Sequence, residues 1–195
     1  SKGDIGILNM MNVRYIITQG NNGSEVPQRN PYANGAAWFV ENVMIAQNAN
    51  EELLLLDSLD TKSTAIIHKE FIEKLPLENI KRDSTATINI KNHAPNHLVY
   101  ESSATSSQLA LFSEAYYSKG WNAYIDEQPV EHFRANYILR AMKIPEGNHT
   151  IEFKFEPQVV ATGSKVSLAS SILFLLVFAG GFYYNSRKKE QLNNE

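Results

Sequence analysis

The stretch from Val166 to Ser186 constrains the fold most, because it contains no charged residue. Its centre, Ile172–Phe178, is apolar throughout. An α-helix rises about 1.5 Å per residue, so about 20 residues cross the hydrocarbon core of a bilayer. The stretch therefore predicts a transmembrane helix over 165–186. A helix buried in a soluble core is the alternative, but such a helix usually keeps a polar stripe on one side.

Three cations, Arg187-Lys188-Lys189, follow this stretch, and a tyrosine pair at 183–184 lies just before them. Tyrosines concentrate at membrane–water interfaces, and cationic flanks of a transmembrane helix stay in the cytoplasm. We therefore expect residues 187–195 to form a cytoplasmic basic tail. The residues ahead of the helix would then lie on the extracytoplasmic side of the membrane.

Residues 113–157 carry the clearest strand pattern in the chain. Polar and apolar side chains alternate from Thr150 to Phe155, as in a strand with one wet and one dry face. A turn cluster, Pro145–Asn148, precedes this strand. From residue 85 onward we predict seven strands, over 85–91, 97–103, 108–115, 121–125, 130–134, 137–144 and 149–156. Their starts fall roughly ten residues apart, which is typical of a β-sandwich.

The first 82 residues mix helical and strand patterns. We predict a helix over 4–11, strands over 13–18, 37–46 and 64–68, and a long loop over 19–35. Residues 37–46 fit one strand or two with a kink at Glu41-Asn42, and the pattern over 70–77 is ambiguous. Asn50 is a candidate N-cap for a second helix, since Glu51 and Glu52 suit the positive end of a helix dipole.

The fold class predicted from these patterns is α+β. It comprises a small α/β subdomain over 1–82, a mostly antiparallel β-sandwich of immunoglobulin or jelly-roll type over 83–160, and one C-terminal transmembrane helix.

Composition excludes several classes of function. The net charge is −3, and no stripe of Lys and Arg is interleaved with aromatic residues, which argues against nucleic-acid binding. The chain has no cysteine, so disulfides, thiolate metal sites and cysteine nucleophiles are excluded. It begins Ser1-Lys2-Gly3, without an initiator Met or a signal peptide, so we expect a piece of a longer protein.

A motif runs in order through residues 113–157. Its first part comprises Ser113, Glu114, Tyr116, Tyr117, Gly120, Trp121, Ala123 and Asp126. Its second part comprises Arg134, Ala135, Asn136, Tyr137, Pro145, Gly147, His149, Phe153 and Pro157. With the terminal apolar helix, these residues resemble the C-terminal end of YfhO-type bacterial membrane proteins. Residues 8–17 and 37–40 look like earlier segments of the same family.

Two residues depart from the family motif. Ser118 stands where the family usually has Pro, and Glu127 stands where it has Gly. Because Glu is disfavoured at positive φ, the second departure bears on the type of the tight turn after Asp126. The strand pattern on either side of the turn is unaffected.

The resemblance implies a function for the parent protein more than for this chain. YfhO-type proteins are regarded as polytopic GT-C-like glycosyltransferases that use lipid-linked sugars. The catalytic carboxylates of such enzymes lie on early extracytoplasmic loops, and none of those loops is in these residues. The resemblance thus implies a non-catalytic extracytoplasmic domain, followed by the last helix in the bacterial cytoplasmic (inner) membrane, with a structural or glycan-positioning role.

Partners follow from the same resemblance. They would be the membrane, the remaining transmembrane part of the parent, and a cell-envelope glycan or polyprenyl-phosphate sugar. No cofactor and no nucleic acid is expected. A stand-alone, membrane-anchored carbohydrate-binding or adhesion module is the alternative function.

Aromatic and polar residues of the motif region suggest a glycan platform, because flat rings pack on the apolar faces of sugars and polar groups bind their hydroxyls. The six candidate residues are Tyr116, Tyr117, Trp121, Tyr124, Asp126 and Arg134. The competing interpretation is that these aromatic side chains fill the core. Strand alternation places Trp121 with Ala123 and Ile125 on one face, which favours a core Trp.

The sequence predicts neither a catalytic nor a metal site. His93 and His97 have a metal-ligand spacing only in a helix, and Pro95 lies between them. Ser113 and Glu114 with a distant histidine would be a hydrolase triad, but the chain has no Gly-x-Ser-x-Gly motif.

Overall fold

Most of the described strands are antiparallel, as the alternating side chains and tight turns of the sequence favour. The structure is a computed structural model that describes residues 2–72 and 83–192. The helices are α1 (Lys2–Met10), α2 (Ala49–Leu56), α3 (Lys69–Ile72) and α4 (Gln158–Leu192). The first strands are β1 (Tyr15–Gln19), β2 (Glu25–Arg29), β3 (Ala37–Val40), β4 (Asn42–Ala46) and β5 (Thr64–His68). The later strands are β6 (Thr87–Ala94), β7 (His97–Ala104), β8 (Gln108–Ala115), β9 (Trp121–Ile125), β10 (Gln128–Val130), β11 (Phe133–Ala135), β12 (Leu139–Ile144) and β13 (Gly147–Phe155).

The strands of the described residues form three sheets. β1 and β2 pair as a two-stranded ribbon. A five-stranded sheet has the order β10-β9-β13-β7-β6, and a six-stranded sheet has the order β3-β8-β12-β11-β5-β4. Within the part of the chain that is described, β4 and β5 are the parallel pair and the other pairs are antiparallel. The predicted fold class, α+β with a mostly antiparallel β-sandwich, is confirmed.

The two larger sheets enclose an aromatic core. The rings of Tyr100 and Phe112 meet edge to face with centroids 4.9 Å apart, and Phe112 meets Phe153 in the same way at 4.9 Å. Such pairs stabilise a core beyond their buried area. Ile151 and Phe153 are buried while their neighbours along β13 are less so. The alternation predicted for this strand is confirmed.

The six-stranded sheet is buried on both faces. Met10 of α1 and Leu56 of α2 are buried in a second core, on the side away from the first. Phe71 of α3 packs against the same core. A strand with two dry faces loses alternation, which explains why Gln108–Phe112 of β8 are all buried.

Two predictions near the N-terminus are wrong. Residues 19–35 are not one loop, because Glu25–Arg29 pair with β1 as the strand β2. The sequence of β2 has no apolar alternation to reveal it, and Pro27 at its centre argues against a strand. The N-cap of α2 is Asn48 rather than Asn50, and its side chain accepts from the Glu51 backbone N–H at 3.0 Å.

The predicted strand 130–134 is also wrong. The chain leaves the five-stranded sheet after β10 and enters the six-stranded sheet at β11. A single β-rich run in the sequence thus feeds two sheets. By contrast, residues 37–46 form two strands, which is one of the two alternatives that the sequence left open. The bounds of β5, β8 and β9 are those predicted.

The predicted boundary between segments 1–82 and 83–160 adjoins residues 73–82, which lie outside the described residues, as does most of the ambiguous run 70–77. Strands on both sides of that boundary share the six-stranded sheet: β3, β4 and β5 come before it, and β8, β11 and β12 come after it. Residues 1–155 form one compact unit, and residues 156–195 form another.

The second unit contains the apolar helix predicted from the sequence. Residues 158–183 of α4 have a mean hydropathy of 2.0 over their most apolar window and are long enough to cross a membrane. Leu175, Leu176 and Phe178 are exposed in the absence of a bilayer. Such a helix is stable in lipid because its backbone hydrogen bonds are all internal.

A buried carboxylate joins α2 to the turn between β11 and β12. Glu52 is fully buried, and its carboxylate accepts from Arg134 Nη2 at 3.1 Å and from the Tyr137 backbone N–H at 2.6 Å. Asn136, also buried, exchanges two hydrogen bonds with Ile66 of β5, at 2.7 and 2.8 Å. The Arg-Ala-Asn-Tyr motif is therefore a structural clamp that holds three elements together.

We predict that Glu52→Ala lowers the free energy of unfolding by about 2–4 kcal/mol, because it removes the fully buried carboxylate that pairs with Arg134 and accepts from the Tyr137 N–H. Glu70→Ala is the control, since the Glu70 side chain is 57% exposed and should change stability by less than about 0.5 kcal/mol. Urea denaturation in mild detergent, followed by tryptophan fluorescence, measures both. Equal effects of the two variants would show that the Glu52 clamp does not stabilise the fold.

Candidate functional site

A cleft of about 520 Å³ opens at the β9–β10 edge of the five-stranded sheet. Its lining combines aromatic and polar side chains from α3, from the turn before β9, from β9 itself and from the chain between β10 and β11. The lining includes Phe71, Tyr116, Trp121, Asn122, Tyr124, Glu131 and His132. The cleft exists because the chain changes sheets twice here, once between β8 and β9 and once between β10 and β11.

Three of the six predicted platform residues lie in this cleft, namely Tyr116, Trp121 and Tyr124. Their rings are already engaged. Arg140 Cζ lies 4.2 Å from the Trp121 ring centre, and the Phe155 ring lies 5.3 Å away from it. Lys154 Nζ lies 4.9 Å from the Tyr124 ring centre. The cleft therefore offers ring edges and partly covered faces rather than a bare flat platform.

Trp121 follows the strand alternation that the sequence predicts. It is partly buried and packs against the core between the sheets, together with Ala123 and Ile125, which are buried. Arg140 is 2% exposed, and its Nε–H donates to the Ala115 carbonyl at 3.0 Å. Burial of this guanidinium lowers the pKa of Arg140. Trp121 thus stabilises a buried cation as well as lining the cleft.

The other three predicted platform residues lie elsewhere. Tyr117 is 52% exposed and does not line the cleft. Asp126 lies in the turn between β9 and β10, where its carboxylate accepts from the Thr150 backbone N–H at 2.9 Å. Arg134 is held by Glu52, as described above. The Asp126 carboxylate and the Arg134 guanidinium are engaged within the fold, and glycan binding at the six platform residues stays a prediction.

Sequence reasoning missed two ring systems of the cleft. The Tyr116 ring meets Phe71 at 6.0 Å and His132 at 5.4 Å between centroids. Burial, with a smaller effect of Arg140, lowers the pKa of His132 to about 4, so the imidazole is neutral at physiological pH. No local pattern identifies these residues, because α3 and the β10–β11 connection meet here only through the sheet topology.

The cleft lining combines polar groups with aromatic rings, and the hydrolase triad considered from the sequence does not form among the described residues. Ser113 Oγ donates to the Met10 carbonyl at 2.8 Å rather than to a histidine. His93 lies 3.2 Å from Glu114, and the two belong to a different surface from the cleft. Among the described residues, no group of three or more His, Asp or Glu side chains is placed to hold a metal ion.

Residues 72–167 match the family model described as Bacterial membrane protein YfhO. This is a YfhO-type region. It covers just under half of the chain, from the end of α3 into α4, and includes all the cleft residues named above except Phe71. The resemblance seen in the motif is confirmed over these residues, and the protein is a membrane protein. No curated protein and no solved structure matches the chain.

The YfhO-type motif keeps its tight turn despite the Glu that replaces Gly. Asp126 and Glu127 have φ of 49° and 66°, and they form a two-residue connection between β9 and β10. Two positive φ values are those of a type I′ hairpin turn. The Asp126 carboxylate fixes the turn to β13 through Thr150 and through His149 Nδ1, at 2.6 Å. These bonds hold Glu127 in its unfavourable conformation.

Both ring nitrogens of His149 face acceptors. Nδ1 meets the Asp126 carboxylate, and Nε2 meets the Glu146 carbonyl at 3.0 Å. Only an imidazolium donates at both nitrogens, and the hydrogen bond to Asp126 raises the pKa of His149 above 6.5. The hydrogen bond from His149 also lowers the pKa of Asp126 below 3.8. Glu101 lines the same surface pocket as His149, and its carboxylate pairs with Lys91 Nζ at 2.8 Å.

We call the hydrogen-bonded pair of His149 and Asp126 the latch. We predict that the latch stabilises the protein over a defined pH window. The His149 contribution is complete below its ordinary pKa of 6.5 and is lost as pH rises through the raised value. The Asp126 contribution is present above 3.8 and is lost as pH falls through the lowered value. The difference in urea midpoint between wild type and His149→Gln should thus be larger at pH 5.5 than at pH 9.

The matched control is His93→Gln, since the His93 side chain is 63% exposed. The difference between wild type and this control should vary much less with pH. If His149→Gln and His93→Gln follow the same pH profile, the latch is not protonated in the folded state.

Proposed function

We propose that the chain is the non-catalytic extracytoplasmic domain of a YfhO-type membrane protein, and that its cleft binds a glycan. The observation that carries this proposal is the composition of the cleft. Tyr116, Trp121 and Tyr124 supply aromatic edges and faces, while Asn122 and Glu131 supply polar groups beside them. A volume of about 520 Å³ lies within the usual range for small-molecule sites.

The chemistry of the cleft suits a neutral sugar. Tyr116 and Tyr124 present apolar ring surface against which C–H groups of a pyranose pack. The Glu131 carboxylate accepts from hydroxyls, and the neutral His132 ring both donates and accepts. His132 Nε2 is buried without a hydrogen-bond partner, so a ligand hydroxyl that reached it would satisfy that nitrogen.

A positioning role is supported over catalysis. The carboxylates that the motif brings near histidines, Glu114 and Asp126, are paired with His93 and His149 on the outer surface. Ser113, the serine considered as a nucleophile from the sequence, donates to the Met10 carbonyl rather than to a histidine base. Sugar transfer from a lipid-linked donor would then belong to the remaining transmembrane part of a GT-C-like parent. The domain would guide the acceptor glycan or pack against that part.

The extracytoplasmic placement is supported by the sequence around the span. Arg187, Lys188 and Lys189 follow the charge-free stretch, whereas Lys165 is the one cation among residues 158–186. The positive-inside rule therefore favours a cytoplasmic C-terminus. The compact unit 1–155 would then face the cell envelope, where glycan acceptors are found.

We predict that the chain in detergent binds specific members of a glycan array, and that Tyr124→Ala weakens this binding at least about tenfold, equivalent to about 1.4 kcal/mol. Tyr15→Ala is the matched control, because Tyr15 is 64% exposed and lies outside the cleft. Array binding that is absent in the wild type, or equal in both variants, would contradict a glycan site in the cleft.

We predict the sidedness from single cysteines introduced into a cysteine-free parent protein. A membrane-impermeant maleimide should label Asn21→Cys in intact bacteria, since Asn21 lies in the exposed turn between β1 and β2. It should label Gln191→Cys only after the inner membrane is opened. The reverse pattern would place the domain in the cytoplasm and overturn the proposal.

A further inference from the structure

We propose that one end of the sandwich is seated in the headgroup region of the bilayer. Among the described residues of 83–155, the large apolar side chains that are exposed all lie at this end. They are Tyr117 at 52%, Tyr137 at 38%, Ile138 at 38% and Phe155 at 39%. We call these four residues the aromatic end. Elsewhere in these strands, large apolar side chains are buried or half-buried. Other exposed apolar side chains of the unit 1–155, such as Tyr15, Ile17 and Leu54, lie in residues 1–72.

The strand register brings the four residues together from distant parts of the chain. Phe155, the last residue of β13, pairs with Trp121, the first residue of β9. Tyr117 lies in the connection that enters β9, and the Tyr116 backbone N–H donates to the Ile138 carbonyl at 2.7 Å. Tyr137 adjoins Ile138 in the turn before β12. Strand pairing therefore brings the four residues together, and no local sequence pattern predicts the group.

The chain itself carries the aromatic end to the membrane. β13 ends at Phe155, and the apolar helix α4 begins at Gln158. Three residue steps span at most about 11 Å, so Phe155 stays within that distance of the first residue of the helix. Residues 158–164 add about 10 Å of helix before the transmembrane stretch predicted to start at residue 165. Whatever the angle between the two units, the end of the sandwich that contains Phe155 is the end tethered to the bilayer.

The residue types fit the bilayer interface rather than the hydrocarbon core. Tyrosine has an apolar ring and a polar hydroxyl, and it is enriched where lipid meets water. Lys119, exposed in the same turn as Tyr117, can pair with anionic headgroups. The turn keeps its polar backbone groups in the hydrated layer, where lipid headgroups and water can satisfy them.

Gly120 explains how the aromatic end is held in shape. Its φ is +148°, and a Cβ there would lie 2.6 Å from Phe155 Cε2. Only a residue without a side chain lets the Phe155 ring approach the turn so closely. The Gly-Trp pair of the motif thus fixes Phe155 against Trp121 and leaves part of the Phe155 ring exposed beside Tyr117.

Labels at the two ends of β13 test the proposal in the full chain, reconstituted in nanodiscs of phosphatidylethanolamine and phosphatidylglycerol. The chain has no native cysteine, so Ser118→Cys and Glu146→Cys each carry a single nitroxide. Ser118 is exposed in the turn of the aromatic end, and Glu146 is exposed just before β13. Glu146 precedes the start of β13, and Ser118 lies near its end, where Phe155 pairs with Trp121. The nine residues of β13 therefore put the two sites roughly 30 Å apart.

We expect the label at 118 to relax faster with oxygen, which partitions into lipid, than with a water-soluble nickel chelate. The label at 146 should show the opposite preference. Equal aqueous exposure of both labels would overturn the proposal. So would a label at 118 that is shielded from both reagents, because that result indicates a protein partner rather than lipid.

A second variant isolates the role of the exposed tyrosine. Adding Tyr117→Ser to the labelled Ser118→Cys chain should shift the label toward water, with at least a twofold fall in the ratio of oxygen to nickel accessibility. Tyr15→Ser is the matched control, because Tyr15 is 64% exposed outside the aromatic end and should leave the ratio unchanged. An unchanged ratio in both variants would refute a role for Tyr117 in seating the domain.

Discussion

The fully buried carboxylate of Glu52 is the interaction on which the rest of the structure depends. A buried charge without partners costs several kcal/mol, so α2 can dock only where Arg134 and the Tyr137 backbone N–H meet it. The same turn places Asn136 against Ile66 of β5. Docking α2 in this way covers the second face of the six-stranded sheet, which lets that sheet be apolar on both sides.

A second buried charge organises the space between the sheets. The Arg140 guanidinium lies over the rings of Trp121 and Phe153, at 4.2 and 5.1 Å from their centres. Aromatic faces stabilise a desolvated cation through their quadrupoles. This contact holds Trp121 at the rim of the sandwich, so one side of its ring belongs to the core and its edge reaches the cleft. Trp121 would thus serve both core packing and the proposed glycan binding.

One short segment, residues 116–121, connects these structural constraints to the proposed activity. It carries the chain from one sheet to the other, it lines the cleft through Tyr116 and Trp121, and it exposes Tyr117. If this end is seated among lipid headgroups, a glycan in the cleft would be held close to the membrane surface. That position would suit the proposed acceptor-positioning role, which does not require the domain to carry catalytic groups.

The sequence by itself determined the features that depend on local period and composition: the apolar helix, the bounds of β5, β8 and β9, and the core side of Trp121. Only the tertiary structure decided that residues 25–29 form a strand, that residues 130–134 divide between two sheets, and that Phe71 and His132 join the cleft. Those features arise from pairing between distant segments, which single-strand patterns do not encode. Glu52 and Arg134 illustrate the limit, because each looks like a surface charge until the fold buries Glu52 beside the half-buried Arg134.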